Sequence, residues 1–108
     1  LKVVIAFDVD GTLEVGNPPG PIKLSKLKRL KEFGLIVGIV GSFKKVKGVL
    51  PNLDFYYPGH PHKPKYLREI RERYNPALAI YVGDEEADRL AALNAGFIYV
   101  RPEDFPLS

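Results

Sequence analysis

Asp8 and Asp10 stand two residues apart at the end of the apolar run Val3-Val4-Ile5-Ala6-Phe7, and Gly11-Thr12 follows at once. A continuous β-branched and apolar run reads as a strand buried on both faces of a parallel sheet. Its two acids then emerge at the strand's C-terminal end, where open α/β sheets take their ligands. Like charges buried together are costly unless a cation or a reaction uses them. The pair therefore points to a metal-dependent active site. The plainer alternative is a turn acid, a common role for Asp after a strand.

Other residues able to do chemistry sit at comparable places. Asp84 and Asp88 follow the apolar run 78–82 and open an amphipathic stretch. Acids there cap a helix and meet its dipole favourably; oxygen donors of this kind also suit Mg²⁺, which keeps several waters and needs few carboxylates. Ser42 follows the run 35–40, as an N-cap or as a contact for a bound anion. Lys63 and Lys65 flank Pro64. His60 and His62 form a His-x-His pair, but the chain has no cysteine and its acids suit Mg²⁺, so a zinc site ranks below a rim contact or a plain loop role. Lys44, Lys45 and Lys47 read as a solvated helix face that can also guide an anion to Ser42.

The elements that must position these residues alternate regularly. Strands are expected at 2–8, 35–40, 54–57, 78–82 and 97–100. Between them the spacing predicts helices at 23–33, just after Ser42, at 64–74 and at 85–94. The first carries Leu24, Leu27, Leu30 and Phe33 as its apolar stripe, with Gly34 as its stop. The second carries Val46, Val49 and Leu50 and ends at Pro51; the third turns Leu67, Ile70 and Tyr74 inward, with Pro64 in its first turn. Residues 14–21 form a turn-rich loop, and the tail 101–108 reads as irregular chain. Strands separated by helices imply right-handed crossovers, a parallel sheet and helices on both faces. A four-stranded sheet is the alternative, because Tyr57-Pro58 ends the third strand early.

At 108 residues one domain, 1–108, is expected. The absence of cysteine removes disulfides and thiolate metal sites. A net charge of +3 mildly favours anionic ligands. Nucleic acid is not indicated, for no basic run with interleaved aromatics and no zinc-finger spacing occurs. The N-terminal apolar run is too short to span a membrane and lacks a basic flank, so the expectation is no membrane partner and a cytoplasmic protein.

Taken in chain order, Asp8-Val9-Asp10-Gly11-Thr12, Ser42, the lysine of His62-Lys63-Pro64-Lys65 and Gly83-Asp84-Glu85-Glu86-Ala87-Asp88 resemble the four motifs of the haloacid dehalogenase (HAD) superfamily of aspartyl-phosphate enzymes. The resemblance implies a doubly wound, three-layer sandwich with a HAD-like Rossmannoid core, its five parallel strands ordered 5-4-1-2-3 and all four motifs on one rim. It makes Asp8 the nucleophile and Asp10 the general acid/base, whose backbone carbonyl also serves the metal. It places Asp84 with Asp8 on Mg²⁺, and Asp88 either behind the metal or on the lysine. Ser42, Lys63 and the loop held by Gly11 surround the phosphate, with Lys63 preferred over Lys65 as the neutralising cation. Glu85 departs from the small residue often found there in the family.

Relatives acting on small metabolites carry a cap domain inserted between motifs. Here 13–41 holds only a loop, a helix and a strand, and 43–62 only a short helix and a strand. The expected protein is therefore a capless Mg²⁺-dependent phosphomonoester hydrolase with an open site and 14–21 as its only flap. A bulky or macromolecular phosphorylated substrate, or a neighbouring copy in a homo-oligomer, would then exclude water. The competing expectation is a non-catalytic or weakly catalytic binding or regulatory module. A two-component receiver domain fits poorly, since its phosphorylated Asp should end the third strand, where Tyr57-Pro58 stands.

Overall fold

Along the central strand, successive side chains enter different cores, and different helices cover the two. The computed structural model describes residues 1–106. Its strands are β1 (Val3–Phe7), β2 (Ile36–Val40), β3 (Phe55–Tyr57), β4 (Leu78–Val82) and β5 (Ile98–Val100). Its helices are α1 (Leu24–Glu32), α2 (Lys44–Lys47), α3 (Lys63–Tyr74) and α4 (Glu86–Asn94). Val4 and Ala6 pack with Leu67 and Ile70 of α3 and with Ala91 and Ala92 of α4. Ile5 and Phe7 pack with Leu27 of α1 and Val46 of α2. The result is an α/β sandwich of three layers, with a period-two strand read by helices on both sides.

The sheet is parallel throughout, in the order β3-β2-β1-β4-β5. Read from the β5 edge, the neighbours run 5-4-1-2-3. The chain steps outward from β1 to β3 with α1 and α2 on one face. It then returns to β4 and β5 with α3 and α4 on the other. That reversal opens a crevice beyond the ends of β1 and β4. Phe7 pairs with both Ile39 and Val82, so Asp8 and the turns after β2 and β4 leave the sheet at one level.

Several expected details change. β3 does pair with β2 over Gly38–Val40, so the four-stranded alternative falls. Gly38 permits this: a Cβ there would lie 2.3 Å from the Phe55 ring. Phe33 does not extend the stripe of α1; it is 75% exposed, because the helix ends at Glu32. Val49 is also exposed, because α2 is a single turn and the chain leaves it before Val49 can face the sheet. The tail is ordered further than expected, with a 3₁₀ turn at Pro102–Asp104 and Phe105 edge-on to Phe7 at 5.4 Å. The last part of that expected irregular tail, 107–108, lies outside the described residues.

The loop 14–21 is tied down at several points. Gly11 N–H donates to Pro18 O and Asn17 N–H to Asp10 Oδ1. Glu14 Oε2 accepts the Leu24 N–H at 2.6 Å, satisfying a free donor at the start of α1. No helix among the described residues is long and apolar enough to cross a membrane.

Candidate functional site

Asp8 stands one residue beyond β1 and is 5% exposed. Lys63, the first residue of α3, is 1% exposed, and its side chain reaches back to the strand ends. Its Nζ lies 2.8 Å from Asp8 Oδ1 and 2.6 Å from Asp88 Oδ1. Thr12 Oγ1 donates to Asp8 Oδ2 at 3.3 Å. Asp88 Oδ2 accepts the Glu85 N–H at 3.1 Å, so Asp88 caps α4 while it holds the lysine. Tyr81 closes the floor: its hydroxyl donates to Val40 O at 2.8 Å and its ring lies 5.5 Å from Lys63 Nζ.

One buried cation shared by two buried carboxylates leaves the site short of positive charge. Burial raises the Asp8 carboxyl to about 7, against the pull of Lys63, and Asp88 pushes the same way as burial. Burial alone would lower Lys63, but Asp8 and Asp88 outweigh it and hold the ammonium above its ordinary value. Burial, reinforced by Asp88, raises Tyr81 well above its usual range and keeps its hydroxyl a donor.

Asp84 adds a third acid from the turn after β4. Oxygen atoms of Asp8, Asp84 and Asp88 all lie within 4.8 Å of one another. With Lys63 as their buried cation, the three carry two uncompensated formal charges, and every donor is a hard oxygen. That set fits a divalent ion such as Mg²⁺, with Asp84 exposed and able to leave room for waters. Asp8 and Asp84 would hold the ion. Asp88 is already engaged by Lys63 and the Glu85 amide.

Glycines make the approach possible. A Cβ at Gly11 would lie 2.0 Å from Asp84 Oδ2, one at Gly41 2.9 Å from Asp8 Oδ1, and one at Gly83 2.7 Å from the Asp88 carboxylate. Gly11 also holds φ at +75°, where other residues are strained. Gly11→Ala should therefore lower stability by about 1–2 kcal/mol and weaken divalent-ion binding by displacing Asp84. Urea unfolding and Mg²⁺ titration of the variant check both effects.

Asp10 faces a second group of side chains. It accepts from Asn17 N–H at 2.8 Å, Ser42 Oγ at 3.1 Å and Lys45 Nζ at 3.1 Å. The Asn17 amide, then Lys45 and Ser42, hold its carboxyl below the usual range. Its carboxylate is not one of the three clustered acids. Of the two candidate lysines, Lys63 is in the site and Lys65 is exposed. The two histidines diverge: His60 Nε2 lies 3.7 Å from Asp88 Oδ1 and 3.9 Å from Glu85 Oε1, whereas His62 stands edge-on to Tyr66. Among the described residues, neither joins the acidic cluster.

Sequence reasoning did not place Lys45 on Asp10, Tyr81 beneath Lys63, or Gly41 and Gly83 against the acids. Lys45 had a weak signal, its position three residues beyond Ser42. Tyr81 had only the polar tip of one residue in an apolar strand. Compared with protein-family models, the chain matches none, and comparisons with curated proteins and with solved structures also return no match.

Proposed function

We propose that this chain is a Mg²⁺-dependent phosphomonoester hydrolase acting through an aspartyl phosphate on Asp8, of the capless haloacid dehalogenase type that its motif order resembles. The observation that carries the reading is the clustering of Asp8, Asp84 and Asp88 at the strand ends, with the buried Lys63 paired to Asp8 and Asp88. In this reading Ser42 and Lys63 bind the phosphoryl oxygens. Asp8 attacks phosphorus; the bond from phosphorus to the Asp8 oxygen forms as that to the leaving oxygen breaks, and Asp10 gives the leaving oxygen a proton. Asp10 then takes a proton from water as that water attacks phosphorus, releasing inorganic phosphate and restoring the Asp8 carboxylate. Ser42 and Lys45 are the donors for which a phosphate dianion competes, and their transfer relieves two contacts that stabilise charge on Asp10. Asp8 and Asp84 would hold a Mg²⁺, which would supply charge to offset both the carboxylates and the phosphoryl oxygens.

The test is hydrolysis of p-nitrophenyl phosphate with Mg²⁺ and with EDTA. Turnover is expected with Mg²⁺, falling by at least about 100-fold in EDTA. Absence of turnover on that ester and on sugar, nucleotide, lipid and protein phosphates would overturn the reading in favour of a binding module.

A further inference from the structure

Next to the residues that hold Asp10 lies an open hollow of about 350 Å³. Ser42, Phe43, Lys44 and Lys45 form one side of it, and Pro58 and Gly59 the other. Gly41 lines it as well, and is the residue whose missing side chain makes room for Asp8. Two residues that line the hollow also touch a reacting group: Ser42 and Lys45 both donate to Asp10, the acid that must meet the leaving oxygen.

Its lining selects a chemistry. The Phe43 ring, braced against Tyr56 at 6.3 Å, and the Pro58 ring offer flat apolar walls. The lining side chains include no carboxylate and no amide, and the Ser42 hydroxyl is their one acceptor, a sparse set for the several hydroxyls of a polyol. Lys44 and Lys45 bring two ammonium groups, and Lys44 forms no ion pair among the described residues.

We infer that this hollow receives the leaving group, and that the preferred substrates are phosphomonoesters of a compact, flat, apolar alcohol bearing a second anionic group. The inference rests on the hydrolase reading and narrows it from any phosphomonoester to one class. The phosphate faces Asp8, the ring lies against Phe43 and Pro58, and the second anion meets Lys44 at the outer edge. In a capless site the substrate's own ring then shields the phosphoryl group from water on that side.

The test pairs binding with turnover, in Mg²⁺. Calorimetry measures benzylphosphonate, 4-carboxybenzylphosphonate and 2,3-dihydroxypropylphosphonate, none of which can be hydrolysed. Turnover is measured on benzyl phosphate, 4-carboxybenzyl phosphate and glycerol 1-phosphate, whose alkoxide leaving groups are of similar basicity. The aromatic phosphonates should bind about tenfold tighter than the polyol, with the same order in kcat/KM. The carboxylate should add on the order of threefold, an advantage that Lys44→Gln removes. Phe43→Leu keeps an apolar residue against Tyr56 yet should cost about fivefold of the aromatic preference.

The outcomes separate the two claims. Aromatic preference with turnover supports both. Aromatic preference in binding without turnover, on these esters and on the panel above, supports the hollow and removes the hydrolase reading. Turnover with no preference for the ring overturns the hollow and leaves the hydrolase intact. Neither binding preference nor turnover overturns both.

Discussion

Asp8→Asn is expected to lower kcat on the order of 10⁴-fold or more while leaving the fold intact. The substitution is nearly isosteric. The amide oxygen can still accept from Lys63 while its NH2 donates to the Thr12 hydroxyl, and Lys63 keeps Asp88. What is lost is an anionic oxygen able to bond to phosphorus and later leave as a carboxylate. Because burial raises the Asp8 carboxyl, the fold disfavours its charge relative to the unfolded chain, and removing that charge should not bring the loss of about 3–5 kcal/mol seen when a buried pair loses a partner. Steady-state hydrolysis and urea unfolding of the same preparation check both halves. Activity surviving in Asp8→Asn would remove the covalent mechanism; lost activity accompanied by collapse of the fold would remove the claim that Asp8 acts chemically.

Lys63→Ala is expected to have the largest effect on stability, a loss of about 3–5 kcal/mol. Asp8 and Asp88 are both buried, and Lys63 is the buried cation bonded to them. Without it, two buried carboxylates face each other with only the half-exposed His60, 3.7 Å from Asp88, beside them, and a cavity the length of a lysine side chain opens beneath them. Adding Asp88→Asn to Lys63→Ala should recover part of the loss, since one uncompensated charge is then gone. Urea denaturation of the single and double variants measures this. A loss under about 1 kcal/mol for Lys63→Ala would mean that the lysine is not the counter-ion of a buried pair.

Much of this arrangement was legible before any coordinates. The runs at Val3-Val4-Ile5-Ala6-Phe7 and Leu78 to Val82 are fully apolar because both faces of those strands are covered. Their ends mark where Asp8 and Asp84 leave the sheet; that β1 and β4 lie side by side came only from the strand order the resemblance implies. Choosing Lys63 over Lys65 needed the rotation of α3: Lys63 points back toward the sheet, and two residues later the helix has turned Lys65 to solvent. The errors share a cause in helix length. Phe33 and Val49 fit an apolar stripe by spacing, but α1 and α2 stop before reaching them. Contacts between separate elements left the faintest trace. Gly11 against Asp84, Lys45 on Asp10 and Phe105 on Phe7 each join parts of the chain far apart in sequence, at least one of them a loop or turn, that spacing cannot bring together.

The central claim is that Asp8 and Asp84 hold a single divalent ion facing the phosphate groups. Isothermal titration of the protein with Mg²⁺ tests it most directly, with Asp84→Asn and Asp10→Asn alongside. The account predicts a single site in the wild type, weakened at least about tenfold by Asp84→Asn and within about twofold of wild type in Asp10→Asn, whose carboxylate is held by Ser42 and Lys45. No Mg²⁺ binding, or equal affinity in wild type and Asp84→Asn, would contradict it.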